Sequence, residues 1–344
     1  MALAFISGVA GETLSPAEAA FLRSAKPAGL ILFARNCSGH DQIRRLVGDV
    51  REAVGAGDDF LVLIDQEGGR VQRLRPPLGR ELPAAQAYAQ LHAEDPALAR
   101  EAAFLAARLL ADDLKALGIN TDCAPVLDVP IPGAHDIIGD RAYGREPGQV
   151  AALGRAVAEG FMAGGVLPVI KHIPGHGRAT KDSHLDLPIV TEPHAVLSVT
   201  DFAPFKALAD MPAAMTAHVV FTAIDEAQPA STSRRVTREV IRGEIGFDGL
   251  LMSDDLSMKA LSGTLGGRAE AVLAAGSDLA LHCNGVLAEM EEVAAAVPEL
   301  AGDALRRFRA ALTVLERSDP YDSVKAETQL ALAIGTGRRH AESV

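Results

Sequence analysis

The sequence contains no tryptophan and only three cysteines, and each shortage excludes a class of protein. Cys37, Cys123 and Cys283 lie far apart and form no CxxC pair, so neither a disulfide framework nor a zinc knuckle is predicted. Aromatic residues make up 4% of the chain, which leaves no large platform for stacking on bases or polymers.

Basic residues and long apolar runs are also missing. The 33 Lys and Arg residues against 45 Asp and Glu give a net charge of -12, whereas binding of nucleic acid or anionic membranes requires a basic surplus. No Lys or Arg precedes Arg23, and no apolar run reaches about 20 residues. We therefore expect a cytoplasmic protein without a secretory signal or a transmembrane helix.

What the chain does have is a short apolar run, repeated eight times, with a helix-length segment between most of the runs. Because these runs do not alternate with polar residues, they are typical of a parallel sheet covered by helices. Eight such units in about 300 residues predict an α/β fold, a single (β/α)8 TIM-like barrel. The predicted strands are residues 4–6, 29–33, 60–64, 120–126, 167–171, 214–218, 250–253 and 279–282.

Two helices and the domain limits follow from local signals. The clearest helix covers 96–117, with Asp95 as its cap, Pro96 at its first position and Gly118 after its end. A second covers about 301–317. We predict a catalytic barrel over 1–318 and a C-terminal segment over 319–344, with one short helix and a polar tail. A doubly wound sheet is the alternative, although no GxGxxG follows a strand to open a helix.

Polar residues follow the apolar runs repeatedly. In parallel α/β folds the chemistry lies at the carboxyl ends of the strands, so these residues predict a polar active site at one rim. Any single Asp there can instead cap the next helix. The residues are Asp65, Asp128, Lys171, His172, His218, Asp254, Asp255, Cys283 and Asn284.

The segment 171–188 reads KHIPGHGRATKDSHLDLP and leaves a predicted strand for a glycine-containing loop. Such a loop can close over a ligand. Asp182 can orient the imidazole of His184 and favour its protonated form, which suits a general acid. A solvated loop pair is the alternative interpretation. Pro174 and Gly175 prevent a helix from placing neighbouring histidines on one face, so we expect no metal and no other cofactor.

Five motifs, in order, resemble the family-3 glycoside hydrolases, and the D-S-H of the loop resembles their bacterial β-N-acetylhexosaminidase branch. The motifs are IDQEGGRVQR at 64–73, GDRAYG at 139–144, KHIPGHG with DSH at 171–184, MTAHV at 215–219 and GFDGLLMSDDLSM at 246–258.

The resemblance implies a retaining β-N-acetylglucosaminidase of peptidoglycan recycling. Its substrates are small muropeptide fragments that carry terminal β-linked N-acetylglucosamine on 1,6-anhydro-N-acetylmuramic acid. Asp254 is the implied nucleophile, His184 the acid/base, and Asp182 its partner, with a covalent glycosyl-enzyme between the two steps. The implied sugar-binding residues are Asp65, Arg73, Arg141, Lys171 and His172. We expect no nucleic-acid or membrane partner and a monomer or weak homo-oligomer.

Three alternatives stay open. A family-3 β-glucosidase or β-xylosidase usually takes its acid from a second domain, for which this chain has no room. A non-catalytic sugar-binding barrel would keep Asp65, Arg141 and Lys171 but would not need Asp254 together with the Asp182–His184 pair. A metal-dependent hydrolase would lose its activity on dialysis against a chelator.

Overall fold

The computed structural model describes residues 2–57, 59–179, 181–183 and 186–341, with side chains through Gly335. The strands are β1 Leu3–Ser7, β2 Pro27–Leu32, β3 Leu61–Ile64, β4 Gln66–Gly68, β5 Val71–Gln72, β6 Thr121–Asp122, β7 Leu167–Ile173, β8 Ile189–Val190, β9 Ala213–Thr216, β10 Val220–Phe221, β11 Leu250–Asp255 and β12 Leu279–His282. Over the described residues, eight parallel strands close into a barrel in the order β1-β12-β11-β9-β7-β6-β3-β2. Helices surround it, as the sequence predicts for a TIM-like barrel.

The connections between barrel strands are mostly helical. A π-helical segment, Val236–Glu244, connects β9 to β11, and short 3-10 turns cover Ala34–Asn36, Gly139–Arg141 and Thr313–Glu316. The α-helices are α1 Pro16–Ala25, α2 His40–Val54, α3 Ala85–Glu94, α4 Pro96–Lys115, α5 Pro147–Ala163, α6 His194–Val199, α7 Ala203–Ala207, α8 Leu265–Ala275, α9 Leu287–Ala296, α10 Gly302–Leu312 and α11 Ser323–Ala341.

Local signals explain where the longest predicted helix begins and ends. The Asp95 carboxylate accepts hydrogen bonds from the backbone N–H groups of Ala97 and Leu98, which have no partner within α4 itself. After α4 the chain turns through Gly118, whose φ of 81° lies in the left-handed region. The predicted helix 96–117 is therefore confirmed, with its end two residues earlier.

All eight predicted strands are present, but the one predicted over 120–126 is shorter. Its ladder covers only Thr121–Asp122, followed by a bridge from Val126 to Lys171. Pro125 has no backbone N–H to donate, so the regular ladder is interrupted there.

The C-terminal helix differs from the short helix predicted. The helix α11 has 19 residues and packs on α3 and α4, with Ala326, Leu330 and Ala333 buried. Its backbone continues through Ala341, so the residues from Gly335, predicted as a polar tail, are helical up to that point. The division at residue 318 remains a prediction. Among the described helices, none is both long and apolar enough to cross a bilayer.

Candidate active site

The parallel register aligns the carboxyl ends of the strands at one rim of the barrel. Leu32 of β2 lies opposite Ile64 of β3, which lies opposite Asp122 of β6, and Lys171 of β7 lies opposite Met215 of β9. Side chains that follow these positions in sequence are therefore neighbours in space, as the sequence predicts for a barrel.

Five charged side chains form a ladder of alternating sign across this rim. Arg73 Nη2 lies 2.9 Å from Asp65 Oδ2, and Lys171 Nζ lies 2.7 Å from Asp65 Oδ1. The same Lys171 Nζ lies 2.6 Å from Glu67 Oε1. Glu67 accepts two hydrogen bonds of 2.8 Å from the guanidinium of Arg141. Three cations thus share two carboxylates, and each charge is held in place by its neighbours.

The ladder keeps Asp65, Glu67 and Lys171 charged although they are largely buried. Burial opposes ionisation of both carboxylates, but the nearby cations outweigh it. Lys171 and Arg73 hold the pKa of Asp65 well below its usual range, and Arg141 and Lys171 lower the pKa of Glu67 to about 2. Burial also opposes the charge of Lys171, yet Asp65 and Glu67 raise its pKa. At neutral pH the ladder offers fixed donors and acceptors to a polar ligand.

His172 stands beside the ladder and is oriented by Asp128. Its Nδ1 lies 2.7 Å from Asp128 Oδ2, and its backbone N–H donates to Asp128 Oδ1 at 3.2 Å. Burial would raise the pKa of Asp128, but His172 outweighs this effect and lowers it. Because Nδ1 is engaged by the carboxylate, Nε2 is the ring nitrogen left to meet a ligand.

Asp254 and Asp255 end strand β11 and serve different purposes. The Asp255 carboxylate accepts hydrogen bonds from the backbone N–H of Ser257 at 3.0 Å, from the Ser257 hydroxyl, and from the backbone N–H of Cys283 at 3.2 Å. It thereby fastens the turn after the strand, but it does not cap the next helix as the capping interpretation predicts, because the N-cap of α8 is Thr264. Asp254 Oδ1 accepts the backbone N–H of Asp255 at 2.8 Å, and its side chain borders the same cavity as the ladder.

That cavity has a volume of about 260 Å³ and suits a small polar ligand. Its polar walls combine the ladder with His172, Asp254, Asp255 and Arg70. Phe33, Met215 and Met258 are among its apolar walls. A larger cavity of about 750 Å³, between α3 and residues 130–145, contains none of the predicted site residues that the structure describes, so size alone does not mark the site.

The structure therefore brings together six of the predicted site residues, namely Asp65, Arg73, Arg141, Lys171, His172 and Asp254. Asp182 lies on the loop after β7, whereas His184 lies outside the described residues. Two rim residues have structural contacts instead: buried His218 bonds to Ser231, and Asn284 donates to Glu289. Among the residues that the structure describes, no group of three or more His, Cys, Asp or Glu could hold a metal ion.

Sequence reasoning missed Glu67. The residue stands within IDQEGGRVQR, two positions after Asp65, but an isolated Glu in a turn-rich segment gives no sign of its partners. The antiparallel pair β4–β5 folds this segment back on itself. Only this hairpin and the barrel closure bring Glu67 between Lys171 and Arg141.

Glu67→Gln is expected to lower the free energy of unfolding at pH 7 by about 3 kcal/mol, because the folded pKa of about 2 lies well below the ordinary 4.5. A lowered carboxyl pKa stabilises the fold above the unfolded value and loses that effect as the pH falls. More than half of the difference in unfolding free energy between the wild type and Glu67→Gln should therefore be gone at pH 3. Urea unfolding at both pH values measures it, with exposed Glu270→Gln as control. An equal difference at pH 7 and pH 3 would contradict the ladder's role.

Comparisons with known proteins agree on one family. The model of the glycosyl hydrolase family 3 N terminal domain matches residues 5–312. A beta-hexosaminidase of Bordetella avium is 36% identical over 334 residues, covering 93% of this chain and 91% of its own. A beta-hexosaminidase of Methylococcus capsulatus is 41% identical over 278 residues, 80% of each chain.

A solved structure agrees with these relatives. NagZ from Neisseria gonorrhoeae, in complex with N-trifluoroacetyl-D-glucosamine, has a TM-score of 0.83 and 30% identity, and the match covers 97% of both chains. The chain thus belongs to glycosyl hydrolase family 3 and is a glycosidase of its bacterial β-N-acetylhexosaminidase type.

Proposed function

We propose that the protein removes terminal, non-reducing β-linked N-acetylglucosamine from muropeptide fragments carrying 1,6-anhydro-N-acetylmuramic acid. The reaction retains configuration and passes through a covalent glycosyl-enzyme on Asp254. One observation carries the proposal: the Asp254 carboxylate, at a rigid strand end, borders the same cavity as the charged ladder and His172. The N-acylated glucosamine in the Neisseria gonorrhoeae complex supports a ligand of this class.

Asp254 and His184 each have a role in both chemical steps. In the first, Asp254 attacks the anomeric carbon while His184 gives its proton to the departing oxygen. In the second, neutral His184 takes a proton from water, which attacks the same carbon and releases Asp254. A histidine acid suits this site because it is cationic when the bond breaks and neutral afterwards, whereas a second carboxylate would repel Asp254.

The ladder supplies sugar binding. Carboxylates accept hydrogen bonds from sugar hydroxyls, so Asp65 is an acceptor. Arg141, Lys171, Arg73 and the His172 ring are donors to hydroxyl and acetamido oxygens. Because each donor is already held by a charged neighbour, little side-chain entropy is lost when the sugar binds. This pre-ordering favours one orientation of the ring in the cavity.

The purified protein is expected to hydrolyse p-nitrophenyl β-N-acetylglucosaminide in preference to the β-glucoside and the β-xyloside, because the D-S-H loop resembles that of the hexosaminidase branch. A panel of the three substrates measures kcat/KM for each. A disaccharide of N-acetylglucosamine and 1,6-anhydro-N-acetylmuramic acid tests the natural aglycone, and NMR of the first product tests retention.

The panel also separates the alternatives. Equal or faster cleavage of the β-glucoside would favour a β-glucosidase. Binding of N-acetylglucosamine without cleavage of any substrate would favour a sugar-binding barrel. We further propose that the enzyme acts in the cytoplasm in peptidoglycan recycling as a monomer or weak homo-oligomer, which fractionation and sedimentation measure directly.

A further inference from the structure

The loop after β7 is firmly attached at its base. Arg178 Nε donates to Asp201 Oδ2 at 2.6 Å, and its guanidinium also donates to Glu192 and to Thr200. Gly177 packs so closely that a Cβ there would lie 2.1 Å from the carbonyl oxygen of Val129. This part of the loop therefore has little room to move.

The tip of the loop carries Asp182 and Ser183 and is attached separately. Ser183 is 3% exposed, and its hydroxyl lies 3.0 Å from Nε2 of His176. The Ser183 carbonyl accepts the backbone N–H of Ala260, in the segment after β11, at 3.3 Å. The backbone N–H of Asp186 donates to the carbonyl of Asp182 at 2.9 Å. Ser183 thus points inward, and it is the middle residue of the D-S-H motif.

His176, the partner of Ser183 in this contact, is itself held in place. Its backbone N–H donates to Asp128 Oδ1 at 2.7 Å, so the carboxylate that orients His172 also holds His176. Burial and the charge of His172 lower the pKa of His176 to about 4, and the ring is neutral at neutral pH. Within the described part of the chain its Nδ1 has no hydrogen-bond partner. Ser183 is therefore the polar contact on which this buried ring depends.

We propose that His176 is a positioning residue for the acid/base step: through Ser183 it holds the described tip of the loop, Asp182 and Ser183, against the segment that follows the Asp254 strand. This inference rests on the proposed function, which assigns proton transfer to the D-S-H motif. Consecutive Cα atoms are about 3.8 Å apart, so a fixed Ser183 narrows the positions open to the residues on either side. Misplacement of a reacting group by about 1 Å can cost about 10²-fold in rate.

The test replaces either partner of this hydrogen bond and varies the leaving group. His176→Phe keeps an aromatic ring of similar size without its nitrogens, and Ser183→Ala removes one oxygen. Each variant should lower kcat for phenyl β-N-acetylglucosaminide about 10- to 100-fold. Each should change kcat/KM for the 2,4-dinitrophenyl glycoside less than about threefold, because that leaving group departs without protonation. The double variant should be no slower than the slower single variant.

Controls separate this inference from the proposed function. His176→Gln, whose side-chain amide can still reach Ser183, should recover most of the activity on the phenyl glycoside. If His176→Phe and Ser183→Ala lose activity equally on both substrates while the loss in His184→Ala depends on the leaving group, the positioning role alone is overturned. If the wild type cleaves both substrates but the loss in His184→Ala does not depend on the leaving group, the assignment of the acid/base is overturned. This inference is then overturned with it. Ser183→Ala, as the smaller change, decides the outcome if His176→Phe fails to fold.

Discussion

Replacement of Asp254 by Asn should lower kcat for p-nitrophenyl β-N-acetylglucosaminide by about 10⁴-fold or more, the scale on which loss of a nucleophile acts. The amide cannot attack the anomeric carbon, and the neighbouring Asp255 carboxylate is engaged by hydrogen bonds from Ser257 and from the backbone N–H of Cys283. The change is nearly isosteric, so the melting temperature should stay close to that of the wild type. Steady-state kinetics and a thermal scan measure the two effects.

Asp255→Asn is the matched control. Its carboxylate accepts backbone and hydroxyl hydrogen bonds in the following turn, so its replacement should act mainly on stability. A 5-fluoro glycosyl inactivator followed by peptide mapping should label Asp254. Labelling of Asp255, or full activity in Asp254→Asn, would show that the nucleophile is misassigned.

His184→Ala should divide substrates by their leaving group. A natural disaccharide needs protonation of the departing oxygen and should lose about 10²- to 10⁴-fold in rate. A nitrophenol departs with little protonation, so its release should survive far better. Since the second step still lacks its base, glycosyl-enzyme should accumulate. A burst of nitrophenol and intact-protein mass spectrometry detect that accumulation.

Asp182→Asn is the companion variant. It should lower activity and move the alkaline limb of the kcat profile to lower pH, because an imidazolium without a nearby carboxylate loses its proton more easily. If His184→Ala instead weakens both substrate classes equally and traps no intermediate, the loop only covers the site. The acid/base would then be another residue, and His172, already oriented by Asp128, borders the cavity.

Sequence patterning favoured the barrel over a doubly wound sheet because the signal is repeated, and the closed strand order decided between the two. Each apolar run is too short to identify a fold, but eight of them separated by helix-length segments leave few ways to bury both faces of a parallel sheet. The start of α4 was also predictable, since Asp95 and Pro96 act on neighbouring backbone groups. The length of α11 was not, because its stability comes from packing on α3 and α4.

For the site, the sequence alone determined which residue types gather at the rim and, through the five motifs, which family they resemble. A strand end is a local feature, so the sequence alone was enough to identify Asp65, Lys171, His172 and Asp254. Partnerships between them were decided by tertiary structure. Glu67 lies between Lys171 and Arg141, 104 and 74 residues away in sequence, and no local pattern encodes such a contact. His176 and Ser183 lie only seven residues apart, but their contact also depends on tertiary packing, because Asp201 and Ala260 hold the loop from other segments.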